Sequence, residues 1–84
     1  MKKRILLVED EKHLAETVKL NLEVEGYHPV VVHDGAEAIS TFKEQRFDLV
    51  ILDIMIPNID GIAVCENIRL HDAEVPVLFL SARS

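Results

Sequence analysis

Long hydrophobic runs are missing from this 84-residue chain. Its first apolar run, Ile5-Leu6-Leu7-Val8, follows the basic start Lys2-Lys3-Arg4 as in a signal peptide, but stops at Glu9-Asp10-Glu11. Four residues are far too few for a signal-peptide core or a membrane span, so a cytoplasmic protein without membrane association is expected. Positive charge is scarce. Nine Lys and Arg stand against fifteen Asp and Glu, a formal charge of −6, which disfavours nucleic acid and anionic membranes because phosphates are held by clustered Lys and Arg. Any DNA binding has to come from outside this chain. The one cysteine, Cys65, excludes an internal disulfide, and its setting among helically spaced apolar residues reads as a buried thiol. The histidines His13, His28, His33 and His71 have no ligand spacing, so they read as surface or boundary residues with no zinc site and no phosphate transfer through histidine. Gly and Pro form no linker and no repeat is present, which leaves one core and one domain.

What is present alternates between two kinds of segment. Ile5-Leu6-Leu7-Val8 is a continuous apolar run ended by acids, as in a strand buried on both faces. From Lys12 to Glu25, Leu14, Val18 and Leu22 recur at helical spacing with Ala15 beside them, and Gly26 closes the helix. Pro29 to His33 reads as a strand near an edge, since proline lacks the N–H that an interior ladder needs. Asp34, with Glu37 three residues on, marks the start of a second helix running to about Gln45. Phe47 to Leu52 holds the most apolar stretch and predicts a central strand ending on Asp53. A third helix follows Pro57-Asn58-Ile59-Asp60-Gly61, with Ile62, Cys65 and Ile68, joined by Ala63 and Val64, facing inward; it fades near His71-Asp72. Pro76 to Leu80 is the fourth strand. The order βαβαβαβ predicts an α/β fold, a doubly wound parallel sheet with helices on its faces and strands 1 and 3 adjacent.

In such a sheet functional groups collect at the carboxyl ends of the strands. Glu9, Asp10, Asp53 and Ser81 all fall there. Carboxylates so close repel one another unless a cation lies among them. Mg²⁺ is the fitting ion, because it takes oxygen ligands and is held by one or two carboxylates together with a phosphate. A carboxylate beside Mg²⁺ can also be a nucleophile that forms an acyl phosphate. Asp53 is the candidate for that role, since it ends the most buried strand, with Glu9 and Asp10 as metal ligands directly or through water. Ser81 offers a hydroxyl, and the backbone N–H of Ala82 a second donor, to the phosphoryl oxygens. Plainer roles compete: Asp10 or Glu11 as the cap of the first helix, and Asp60 as the cap of the third.

Four stretches together resemble the receiver domain of bacterial two-component response regulators: Ile5 to Glu11, Leu49-Val50-Ile51-Leu52-Asp53-Ile54-Met55-Ile56-Pro57, Asp60-Gly61, and Phe79-Leu80-Ser81-Ala82-Arg83. The resemblance runs the whole length of the chain. It implies a flavodoxin-like sheet, Asp53 as the aspartate that accepts phosphate from a sensor histidine kinase, Glu9 and Asp10 as the acidic pair, Met55 as a backbone carbonyl ligand to Mg²⁺, and Ser81 as the switch hydroxyl. The residues around Asp53, with Val64-Cys65 and Ile68-Arg69, look most like the subfamily that controls a winged-helix transcription factor, so an output domain acting on transcription is implied.

The departures carry expectations of their own. Glu9 stands where Asp is more usual. The family domain continues through another helix, strand and helix, so residues 1–84 are expected to be the N-terminal part of a receiver domain, cut to four strands and three helices. The family's buried lysine has no counterpart, and Arg83 does not match it. Strand 4 is then an exposed apolar edge, and self-association burying Pro76 to Leu80 is expected, with little phosphorylation or switching as the alternative reading of this chain. The resemblance is to a signalling module and not to an enzyme. A Mg²⁺-dependent phosphohydrolase is the remaining alternative, disfavoured because its usual second Asp, two residues after the nucleophile, is Met55 here.

Overall fold

The computed structural model describes residues 2–54, 56 and 59–80. Its elements follow one another as β1 (Arg4–Val8), α1 (Lys12–Val24), β2 (His28–Val32), α2 (Gly35–Glu44), β3 (Leu49–Asp53), α3 (Gly61–His71) and β4 (Val77–Leu80). The four strands form one parallel sheet in the order β2-β1-β3-β4. The expected α/β doubly wound arrangement is therefore present, with β1 and β3 adjacent in the middle and β2 at an edge. Pro29 is the second residue of β2, not its first, and Pro76 lies just outside β4, where its carbonyl accepts the Val50 N–H at 3.0 Å.

Alternation along the strands divides the core. Ile5, Leu7 and Ile51 pack with Val18 and Leu22 of α1 on one face, while Leu6, Val8, Val50 and Leu52 pack with Ala38 and Phe42 of α2 and Val64 and Ile68 of α3 on the other. Both faces of β1 and β3 are thus buried, which is why these strands carry continuous apolar runs. Two residues expected to face inward do not. Leu14 is 38% exposed and Ile62 is 56% exposed. At 3.6 residues per turn the buried stripe of α1 is centred on Ala15, Val18 and Leu22, with Leu14 at its margin. In α3 the stripe is Gly61, Val64 and Ile68, and Ile62 lies roughly 130° around the helix from its centre. Cys65 packs against this core but is only half-buried, where its spacing suggested a buried thiol.

The caps set where each helix begins. Glu11 closes the first turn of α1 by accepting the N–H groups of His13 at 3.0 Å and Leu14 at 2.7 Å, leaving Asp10 free of that task. Asp34 accepts the Glu37 N–H at 2.8 Å, and Asp60 accepts the Ala63 N–H at 2.9 Å, so Asp60 does serve as the α3 cap. Next to it, Gly61 donates to Ile54 O at 2.8 Å. A Cβ at position 61 would lie 2.6 Å from both Asp53 O and Ile54 Cα.

This contact fixes the sign of a substitution. Helix propensity alone makes Gly→Ala favourable by up to about 1 kcal/mol. Here the obstacle is backbone that cannot swing aside, so Gly61→Ala is expected to destabilise by about 1–3 kcal/mol. Urea unfolding of the two proteins checks this, and a stabilised variant would contradict it.

Candidate metal centre

The sheet register brings the acids together. Val8 pairs with Leu52 across β1 and β3, so Glu9 and Asp53, each one residue further on, come to the same carboxyl edge, and Asp10 follows Glu9. One carboxylate oxygen from each of Glu9, Asp10 and Asp53 lies within 4.8 Å of the others. Burial is uneven: Glu9 is 1% exposed and Asp53 7%, while Asp10 is open to solvent. Beside Asp10 runs a groove of about 800 Å³ lined also by Ile54, Ile56, Asp60, Ile62, Ala63 and Glu66.

Glu9 carries the electrostatic cost of this arrangement. Its Oε2 accepts the Glu11 N–H at 2.9 Å, but its Oε1 is buried with no donor among the described residues. Burial pushes the Glu9 carboxyl above its ordinary value; the Glu11 N–H works against that, and the negative charges of Asp53 and Asp10 add to it. Glu11 moves the other way, held low by the N–H groups of His13 and Leu14 that it caps. A buried acid with one oxygen lacking a donor among the described residues, and two more carboxylates against it, is a set of oxygens short of positive charge.

Sequence reasoning placed His33 on the surface without a role. It is exposed, yet its Nδ1 makes a 2.9 Å hydrogen bond to Glu9 O. The signal was a register one, since Val8 pairs with Val32 and the next residue of each strand is Glu9 and His33. His13, His28 and His71 are exposed, as expected. Met55, Ser81 and Ala82 lie outside the described residues. Leu80, which precedes Ser81 in the sequence, is the register partner of Asp53.

The family model for the response regulator receiver domain matches residues 5–84. This chain belongs to the response regulator receiver domain family. Among curated relatives of the receiver domain, the transcriptional regulatory protein TrcR of Mycobacterium tuberculosis is 45% identical over 80 residues, covering 95% of this chain and 31% of the relative. The alkaline phosphatase synthesis transcriptional regulatory protein PhoP of Bacillus subtilis is 39% identical over 99% of this chain and 35% of the relative. This chain thus spans about a third of the length of these regulators. Among solved structures, the response regulator protein TrrA of Thermotoga maritima, in complex with Mg²⁺-BeF, is 40% identical and superposes with a TM-score of 0.94, covering 100% of this chain and 72% of that one. No described helix of the receiver domain is long and apolar enough to cross a membrane.

Proposed function

We propose that this receiver domain accepts a phosphoryl group on Asp53 from a sensor histidine kinase, with Mg²⁺ held by Glu9, Asp10 and Asp53. The observation that carries this reading is the convergence of the three carboxylates within 4.8 Å around a buried Glu9 oxygen that lacks a donor. The ligands are all oxygen, which suits a hard cation, and the relative from Thermotoga maritima holds Mg²⁺ with a fluoroberyllate group. When bound, the ion supplies positive charge for the phosphoryl oxygens. Asp53 acts as nucleophile: a carboxylate oxygen attacks phosphorus and forms the O–P bond while the N–P bond of the donor's phosphohistidine breaks and the imidazole leaves with its electron pair. Asp10, open to solvent beside the groove, binds on the side from which a donor approaches. Met55 through its carbonyl, Ser81 through its hydroxyl and Ala82 through its N–H complete the site in this reading, with Ser81 sensing the phosphorylated state. The site lies in the cytoplasm, and its output is a winged-helix transcription factor domain in a longer protein; this chain itself binds neither nucleic acid nor membrane. Mg²⁺-dependent labelling by acetyl phosphate, followed by intact mass, tests the reading. Labelling that is absent with the ion bound would remove the acceptor role from this chain.

Self-association is the second property we propose, and a separate observation supports it. β4 pairs only with β3 among the described strands, and its Leu78 and Phe79 are 53% and 39% exposed. An apolar edge strand without charge is a template for another strand. A second copy covering Val77–Leu80 should make the sedimentation coefficient rise with concentration, and Leu78→Lys should reduce that rise. A chain that stays monomeric at high concentration would rule this out.

A further inference from the structure

His33 follows the last residue of β2 as Glu9 follows the last residue of β1, and those last residues, Val32 and Val8, are register partners. Two hydrogen bonds join the strands at this point: Glu9 N–H donates to Val32 O at 3.0 Å, and His33 Nδ1 donates to Glu9 O at 2.9 Å. A carbonyl oxygen only accepts, so the ring carries its proton on Nδ1. The backbone of His33 is itself held, because its N–H donates to Glu37 Oε1 at 3.3 Å while the Glu37 N–H is bound by the α2 cap Asp34 at 2.8 Å. A continuous set of contacts therefore runs from the first turn of α2 through His33 to Glu9.

The bond acts on a particular peptide. The carbonyl of Glu9 belongs to the planar unit that joins Glu9 to Asp10, the two neighbouring acids of the cluster. Turning that plane would change how the two carboxylates are spaced, with no change in either side chain. Glu9 Oε2 is already committed to the Glu11 N–H, so the side chain has little freedom to compensate. Partners behind metal ligands commonly tune affinity through this kind of orientation.

We propose that His33 is a positioning residue for the metal centre: by fixing the Glu9–Asp10 peptide plane it sets the spacing of two carboxylates and so strengthens divalent-ion binding. The inference rests on the metal reading above. Leu and Asn have nearly the same shape, and only Asn offers an N–H where Nδ1 now lies, so His33→Asn and His33→Leu separate the donor from the bulk. His33→Ala serves as a second donor-free variant in case the leucine disturbs folding. The readouts are Mn²⁺ affinity, from the free-ion signal in electron paramagnetic resonance, and thermal unfolding without metal.

The expected result is Mn²⁺ binding about three- to tenfold weaker in His33→Leu and His33→Ala, near wild type in His33→Asn, with all the variants folded in the absence of metal. Unchanged affinity in the donor-free variants overturns the proposal, whatever happens to their unfolding temperature. So does a His33→Asn protein that binds as weakly as His33→Leu. Wild-type protein that takes up no Mn²⁺ overturns the metal reading itself, a result distinct from wild-type binding that the variants match.

Discussion

Asp53→Asn is expected to abolish phosphoryl labelling while leaving the fold intact. The amide that replaces the carboxylate has nearly the same shape, but its oxygen carries no charge with which to attack phosphorus. Asp53 ends β3 with its backbone in register with Leu80, and the side chain is 7% exposed, so a same-shaped replacement disturbs little packing. The substitution also removes one of three negative charges from the cluster. Two effects of opposite sign follow. Divalent-ion affinity falls, because one oxygen ligand loses its charge. Stability without metal rises or holds, because the charge of Asp53 is one of the causes that push the Glu9 carboxyl up. Intact mass after acetyl phosphate with Mg²⁺, beside a metal-free melt, separates these effects. Labelling that persists in Asp53→Asn would move the acceptor to another residue, and peptide mapping would locate it.

The reach of the sequence reading follows from which distances it can measure. Period and run length identify elements: β1 and β3 were legible as continuous apolar runs because strands buried on both faces have to be apolar on both, and the helices were legible from their spaced apolar residues and caps. Glu9 and Asp53 were legible for the same reason: acids that abruptly end two such runs stand at the same edge once the strands are neighbours. Asp34 and Asp60 announced their helices as caps. The misplacements of Leu14 and Ile62 are errors of helical phase. A short helix with apolar residues on several sides can be rotated without changing its spacing, and the packing against β1 and β3 chooses the rotation. His33 was missed for a different reason. Its partner is 24 residues away, just past the end of β1, and a backbone carbonyl leaves no trace in the sequence. Side-chain chemistry is written in the chain, whereas contacts that depend on register need the sheet to be built.

Glu9→Gln should make the metal-free domain more stable and nearly remove its capacity to hold a divalent ion. The wild-type carboxyl is 1% exposed and one of its oxygens has no donor among the described residues. Removing a buried, poorly satisfied charge is favourable, and the amide can in addition donate a hydrogen bond toward the neighbouring carboxylates. The expected gain is about 1–3 kcal/mol, or roughly 4 °C or more in a domain of this size. The pH dependence supplies the signature. Because the folded-state pKa of Glu9 is raised, chiefly by burial, the folded protein binds that proton more tightly than the unfolded chain. Its contribution to stability is therefore full below the ordinary glutamate range and is lost as the pH rises through the folded-state value. Glu11 runs in the opposite sense. Its pKa is lowered by the His13 and Leu14 N–H groups, so its contribution is present above the ordinary range and is lost as the pH falls through the lowered value. The two windows lie on opposite sides of the ordinary glutamate range and do not obscure each other. Melts in EDTA across mildly acidic to neutral pH should show wild-type stability declining as the pH rises, and Glu9→Gln should lack that part of the decline. Saturating Mg²⁺ should reverse the trend for wild type, because the ion binds the ionised carboxylate and displaces its proton. A Glu9→Gln protein less stable than wild type without metal would mean that the Glu11 N–H bond to Glu9 outweighs the burial of its charge, and that the cluster is a structural feature before it is a metal site.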